Sequence, residues 1–168
     1  MICSVSVMRL RRDDGYEIDS DRDRLDTTRI HEWLSTDAYW ARGRPLDRVL
    51  ASVDNSLSYA VYDPAGATVG YARVITDQAT FAWLCDVYVS RSARGLGIGT
   101  WLVGAVRDHL QGYGVKRILL ATADAHGVYE KVGFRPLADP TRWMEIDLRP
   151  GGLPVPTADE SSRPADRE

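Results

Sequence analysis

The stretch from residue 84 to residue 110 constrains this chain more than any other. An apolar segment, Leu84-Cys85-Asp86-Val87-Tyr88-Val89, leads into a short basic loop holding Arg91 and Arg94. Three alternating glycines follow, Gly95, Gly97 and Gly99. Beyond them Ile98, Trp101, Leu102, Ala105, Val106, His109 and Leu110 recur at the spacing of one helical stripe. The order predicts a strand, a glycine turn and an amphipathic helix. The first N–H groups of a helix have no partner inside it, and the helix dipole adds positive charge there. Glycines let the backbone come close to a ligand, so this junction suits a phosphate or pyrophosphate. A plain turn that packs a helix onto a sheet meets the same spacing, and the glycines alone leave both readings open.

Two nucleotide motifs fail on these residues. The Walker form needs a Lys after its last glycine, and none follows. The dinucleotide form needs Gly-x-Gly-x-x-Gly, but its third glycine position is Thr100 counted from Gly95 and Leu102 counted from Gly97. The acid expected further on is also missing between residues 117 and 122. A nicotinamide-binding domain is therefore disfavoured.

The form that fits is Gln/Arg-x-x-Gly-x-Gly/Ala, written here as Arg94-Gly95-Leu96-Gly97-Ile98-Gly99. A second run comes later, Val128-Tyr129-Glu130-Lys131-Val132-Gly133-Phe134, close to Leu-Tyr-x-Lys-x-Gly-Phe. On these two motifs, in this order and with a helix and a strand between them, the sequence resembles the GNAT superfamily of acyl-CoA-dependent N-acyltransferases. The likeness runs over most of the chain.

Periodicity supports a matching architecture. A strand is expected around Tyr16 and Ile18, with Glu17 and Asp19 on its other face, and Asp26-Thr27-Thr28 offers helix caps. Ile30, Trp33 and Leu34 mark a first helical face, and Leu46, Val49, Leu50 and Val53 a second one after Pro45. A meander of strands at 57–62, 68–76 and 80–89 follows, with turn chemistry at Asp63-Pro64-Ala65-Gly66. Gly112 and Gly114 end the central helix, and residues 117–121 form a strand parallel to the one ending at Val89. Residues 134–137 and 142–148 read as two last strands. The fold class is α+β, a mixed sheet that is mostly antiparallel around a parallel centre. The resemblance adds splayed central parallel strands and helices on both faces. Residues 1–14 are expected to be a flexible N-terminal segment, 15–149 a GNAT-like acetyltransferase domain, and 150–168, rich in Pro, Gly, Ser and charge, a disordered tail.

The resemblance also implies chemistry. The chain is expected to move an acetyl group from acetyl-CoA to a primary amine of a small molecule or peptide, by direct attack in a ternary complex. The alternative is a catalytically weak acyl-CoA-binding or sensing module. Val87, Tyr88 and Val89 would meet the pantetheine arm through their main chain, and Arg94, Gly95, Leu96, Gly97, Ile98, Gly99 and Thr100 the pyrophosphate. Tyr129 would give a proton to the departing thiolate. Asp86 is the first candidate for general base, with Asp77, Asp124 or a water chain as alternatives. Trp33, Tyr39, Trp40 and Arg42 are candidates for acceptor contacts, Trp33 equally being a core residue. Where many family members carry Asn, this chain has Thr122.

Composition narrows the partners. The chain has 168 residues, enough for one domain with a substantial core, and a net charge of −3, which gives no reason to expect nucleic acid. The histidines, His31, His109 and His126, are scattered, so no metal site is expected. Cys85 reads as a free buried thiol, with Cys3 far off at the terminus. Residues 1–8 lack a signal-peptide layout and are too short to span a membrane, which leads to a cytoplasmic expectation, with Met1 or Met8 as the start. The acceptor amine, acyl preference and the existence of a homodimer are left open.

Overall fold

The computed structural model describes residues 7–149. The tail at 150–168, Cys3 and the choice of start lie outside the described residues. The chain divides after Phe134 into two compact units.

The larger unit is built on one six-stranded sheet. Its strands are β1 (Arg9–Arg11), β2 (Glu17–Asp19), β3 (Leu57–Tyr62), β4 (Thr68–Thr76), β5 (Phe81–Val89) and β6 (Arg117–Leu119). They lie side by side in chain order. The first five are antiparallel to one another in turn, and β6 is parallel to β5 because a helix carries the chain across between them. The helices are α1 (Thr27–Glu32), α2 (Leu46–Asp54), α3 (Ile98–Gly112) and α4 (His126–Glu130).

Two apolar cores sandwich the sheet. On one side Ile98, Leu102, Val106 and Leu110 of α3 pack on Ile18, Tyr59, Val61, Val74 and Leu84. On the other, Ile30, Leu34, Val49 and Val53 pack on Ala60, Tyr62, Tyr71 and Tyr88. Each fully buried aliphatic chain contributes about 1.5–3 kcal/mol. Asp26 caps α1 by accepting from the Arg29 N–H at 2.9 Å. Beyond α1 the chain widens into a π-turn, Trp33–Asp37, closed by the Ala38 N–H on the Trp33 carbonyl at 2.9 Å. Among the described residues, no helix is long and apolar enough to cross a membrane.

Three expectations are corrected. Part of the N-terminal segment is ordered, since β1 pairs with β2 through Arg9↔Asp19, Leu10↔Ile18 and Arg11↔Glu17. The cause is Asp19, which alternation puts on the face opposite Ile18 and which is fully buried. Arg9 meets it at 2.7 Å and Arg24 also pairs with it. A buried carboxylate needs such partners, and they draw β1 onto the sheet.

The smaller unit supplies the other two corrections. Residues 134–137 and 142–148 form no strand. After a single turn, Pro140–Arg142, initiated by the Asp139 side chain, the chain runs on without a ladder. Met144, Ile146 and Leu148 are exposed. Alternation gives a strand only where a partner strand pairs with it, and among the described residues this segment has no such pairing.

Candidate active site

The site begins with an irregularity in β5. Ala82 and Leu84 point into the α3-side core. At Asp86 the backbone turns to φ +51°, a left-handed conformation that Asp tolerates better than most residues. The register with β4 shifts at the same place, between Tyr71↔Tyr88 and Arg73↔Cys85. This is a β-bulge, and it reverses the faces of the strand's last residues. Val87 and Val89 therefore pack on the α3 side, while Tyr88 joins the opposite core.

The far edge of β5 is open beside the bulge. Among the described residues, β6 pairs with β5 only through Phe81↔Arg117, Ala82↔Ile118 and Trp83↔Leu119. From Leu84 to Val89 that edge has no neighbouring strand, although the β4 edge remains paired as far as Val89. Backbone groups on such an edge are available to an extended ligand.

The glycine loop lies at the end of this edge. Gly95 and Gly97 have φ of +80° and +72°, and a Cβ on either would meet nothing within 4 Å. Their need for glycine is therefore conformational, with open space above the loop. Gly97 is the N-cap of α3 and provides no side-chain cap, so the first N–H groups of a 15-residue helix stay available to an outside acceptor. Gly99 faces Val89 and Val128, where a Cβ would sit 3.7 and 3.8 Å from their methyl groups. The loop is thus close to both β5 and the start of α4.

Arg94 folds back on the strand. Its Nε donates to the Val89 carbonyl at 3.1 Å, and its guanidinium lies 3.6 Å from Asp37. Asp37 also pairs with Arg91 and accepts from the Tyr88 hydroxyl at 2.7 Å. Arg91 above all, then Tyr88, hold the Asp37 carboxyl at about 2. A further arginine, Arg12, was legible in the sequence only as part of the N-terminal segment. Its Nη1 donates to the Leu96 carbonyl at 3.1 Å, and it lies over the Trp101 ring at 5.2 Å. It ties the β1–β2 hairpin to the glycine loop.

Tyr129 on α4 is half-buried and makes an edge contact with Phe134, ring centroids 5.9 Å apart. Burial, then the charge of Asp124 and the nearby Tyr39, push its phenol up to about 12. It is protonated at neutral pH. Thr122 Oγ1 accepts from the Ala125 N–H at 3.1 Å in the turn that leads into α4.

A polar cluster fills the bulge. The Asp86 carboxylate accepts from Arg73 Nε and Arg44 Nη1, each at 2.8 Å, and from Trp40 Nε1 at 3.2 Å. Burial alone would raise its pKa, but Arg44 and Arg73 outweigh burial and hold it below the usual carboxylate range. A carboxylate engaged by three donors is a poor proton acceptor, which weighs against the expected role of Asp86 as general base and in favour of a structural anchor. Asp77 is committed too: it accepts from the N–H groups of Ala79, Thr80 and Phe81 and staples the β4–β5 turn.

The acceptor candidates separate. Trp33 is buried and stacked on Tyr88 with centroids 5.0 Å apart, which makes it a core residue. Tyr39 and Trp40 are exposed, in edge contact at 5.0 Å. The Tyr39 hydroxyl donates to Asp124 at 3.3 Å. Arg42 is exposed. Contacts thus run from Arg73 through Asp86, Trp40 and Tyr39 to Asp124. Sequence reading missed Arg44 and Arg73, although a lone Arg inside the apolar run of β4 was a visible signal.

β5 thus parts from its parallel neighbour next to a glycine loop that opens a helix. The model of the acetyltransferase (GNAT) family matches residues 27–134. The chain belongs to the GNAT acetyltransferase family. A GNAT-family crystal structure from Xanthomonas campestris pv. campestris, described as that of a candidate acetyltransferase, is 41% identical. It superposes with a TM-score of 0.74, covering 79% of this chain and 93% of that one. A candidate acetyltransferase from Gibberella zeae is 29% identical over 135 residues, 69% of this chain and 76% of that protein. A Staphylococcus aureus protein of unknown function shares the fold, with a TM-score of 0.64 at 21% identity. The matched GNAT region contains the glycine loop, the bulge and Tyr129, and leaves Arg12 outside.

Proposed function

We propose that the chain transfers the acetyl group of acetyl-CoA to a primary amine of a small molecule or peptide, by direct attack within a ternary complex. The observation that carries this reading is the open edge of β5 from Leu84 to Val89, ending beside an uncapped helix N-terminus. Both features fit the donor: the edge suits an extended pantetheine arm, and the loop suits a diphosphate. Acetyl-CoA supplies an acyl thioester, which an amine attacks.

The chain's residues would divide the remaining work. Main-chain groups of Val87, Tyr88 and Val89 hold the arm, and an N–H near Val87 offers a donor to the acyl oxygen. Main-chain groups of Gly95, Leu96, Gly97, Ile98, Gly99 and Thr100 hold the diphosphate, with Arg94 at the strand end and Arg12 steadying the loop. Tyr129, protonated at neutral pH, donates to the sulfur as it leaves. Asp124, exposed and near Tyr129, is the carboxylate available to receive a proton from the amine. Asp86 positions Arg44, Arg73 and Trp40.

Calorimetry with acetyl-CoA, followed by thiol release with a panel of amines, tests the reading. Binding and amine-dependent release are expected. Binding with no release on any amine would favour an acyl-CoA-binding or sensing module instead. Absence of binding would refute both.

A further inference from the structure

Two guanidinium groups converge on one buried carboxylate at the bulge. Asp86 carries one negative charge against Arg44 and Arg73, so one positive charge is left in excess. The two arginines differ in what they have left to give. Arg73 is the more buried, at 11% side-chain exposure, and spends Nε on Asp86 and Nη1 on Ser56 Oγ. Arg44 is 24% exposed and spends Nη1 on Asp86. Its Nε and Nη2 have no acceptor among the described residues. The Arg44 carbonyl is held by His31 Nε2 at 3.2 Å, which steadies the backbone from which the guanidinium projects.

The surroundings give this spare charge a direction. Trp40 shares the Asp86 carboxylate with Arg44, and its ring meets Tyr39 edge-on. Tyr39 in turn donates to Asp124, whose charge is felt by the Tyr129 phenol. The wall therefore runs from a carboxylate beside Tyr129, across two exposed aromatic rings, to a guanidinium with open donors. Its negative end lies beside Tyr129, and its positive end is held on Asp86, the residue before Val87.

We infer that the acceptor is a zwitterion of the amino-acid class, an amine bearing a carboxylate that Arg44 holds while the amine approaches Tyr129 and Asp124. This rests on the acetyltransferase reading above. A planar guanidinium with two open donors matches a carboxylate, and the aromatic pair gives the intervening carbons an apolar wall.

The test uses matched pairs: amino acids of increasing amine-to-carboxylate spacing, and the alkylamine lacking each carboxylate. Binding to the CoA-loaded protein and thiol release from acetyl-CoA are both measured. The carboxylate member of at least one pair should bind and react about ten- to a hundredfold better, the range of a hydrogen bond between charged groups. Arg44→Gln should bring that ratio near one; Arg44→Lys should keep part of it. Equal or better behaviour of the alkylamines throughout, or a ratio that survives Arg44→Gln, overturns the inference while transfer itself stands. Failure of every pair to bind overturns it as well. Carboxylate-dependent binding that Arg44→Gln abolishes, with no thiol release, would sink the acetyltransferase reading and leave the Arg44 assignment intact.

Discussion

Replacing Asp86 by alanine tests whether the bulge is held by its ion pairs. The Asp86 side chain is 2% exposed and accepts three hydrogen bonds. Removing it leaves Arg73, 11% exposed, without its anion. Breaking a buried pair in this way costs about 3–5 kcal/mol. Arg44 is 24% exposed and can recover water, so the lower end applies, about 3 kcal/mol. Alanine at φ +51° adds about 1 kcal/mol of backbone strain. The sum is about 4 kcal/mol, which for a domain of this size lowers the melting temperature by about 8–16 °C. Urea unfolding across pH gives the linked test. The folded-state pKa of Asp86 is depressed. Its stabilisation is therefore complete above the unfolded carboxylate value, near ~3.9, and is lost as pH falls through the lower folded value. The difference between wild type and Asp86→Ala should stay flat from neutral pH to about pH 5 and shrink below about pH 4. Asp86→Asn, which tolerates the positive φ, should leave the acidic limb of the pH–rate profile where it was. A loss under about 1 kcal/mol, or a displaced acidic limb in Asp86→Asn, refutes the anchor and restores the base.

Other substitutions probe the remaining parts. Tyr129→Phe should lower kcat by about ten- to a thousandfold with acetyl-CoA affinity unchanged; equal turnover would remove the phenol from the chemistry. Because that phenol is pushed up to about 12, wild-type kcat should show no alkaline fall from this group up to about pH 10. Gly97→Ala meets no atom but is forced to φ +72°, a strain of about 1–2 kcal/mol. If the loop relaxes to relieve it, acetyl-CoA should bind roughly tenfold more weakly, read by calorimetry; unchanged affinity and stability would dissociate the loop's shape from binding. Gly70→Ala places a Cβ 3.0 Å from a Val61 methyl and 3.4 Å from the Tyr88 carbonyl, so denaturation should show a loss of about 1–3 kcal/mol with turnover per folded molecule retained.

Local signals in the sequence carried most of the fold. The stripe on α3 predicted its core face, and the apolar run of β5 with a crossover helix predicted a parallel partner. The glycine spacing located the loop because only left-handed φ values close that turn. Pairwise information was less visible. Nothing in the spacing of Arg9, Asp19 and Arg24 says that they meet, and that meeting orders β1. Asp86 looked like a base because it stands on the central strand, one residue before the N–H expected to face the acyl oxygen. Its purpose became clear only when Arg44, from a connector 42 residues away, and Arg73, from the adjacent strand, were seen to share it. The alternation over residues 142–148 had the converse problem, a strand pattern with no edge assigned to it.

The bulge links these observations through one backbone angle. An unbroken β5 would send residues 86 and 88 to the same face as 82 and 84, burying a charge in the α3-side core. The turn at Asp86 instead gives that core Val87 and Val89, and gives the carboxylate to Arg73 and Arg44. Ala72, small and on β4 between the two shifted pairs, stands opposite the extra residue. The left-handed φ costs about 1–2 kcal/mol, and the ion pairs that offset it lie on the same face as Tyr39 and Trp40. Among the described residues β5 has already left β6 after Trp83, so Asp86, from which the proposed acceptor wall starts, lies within the open edge. A carboxylate fixed tightly enough to hold that geometry is, for the same reason, unavailable as a base. On the proposed reaction the proton from the amine would then go to Asp124, near Tyr129, the carboxylate the rest of the wall leaves in reach.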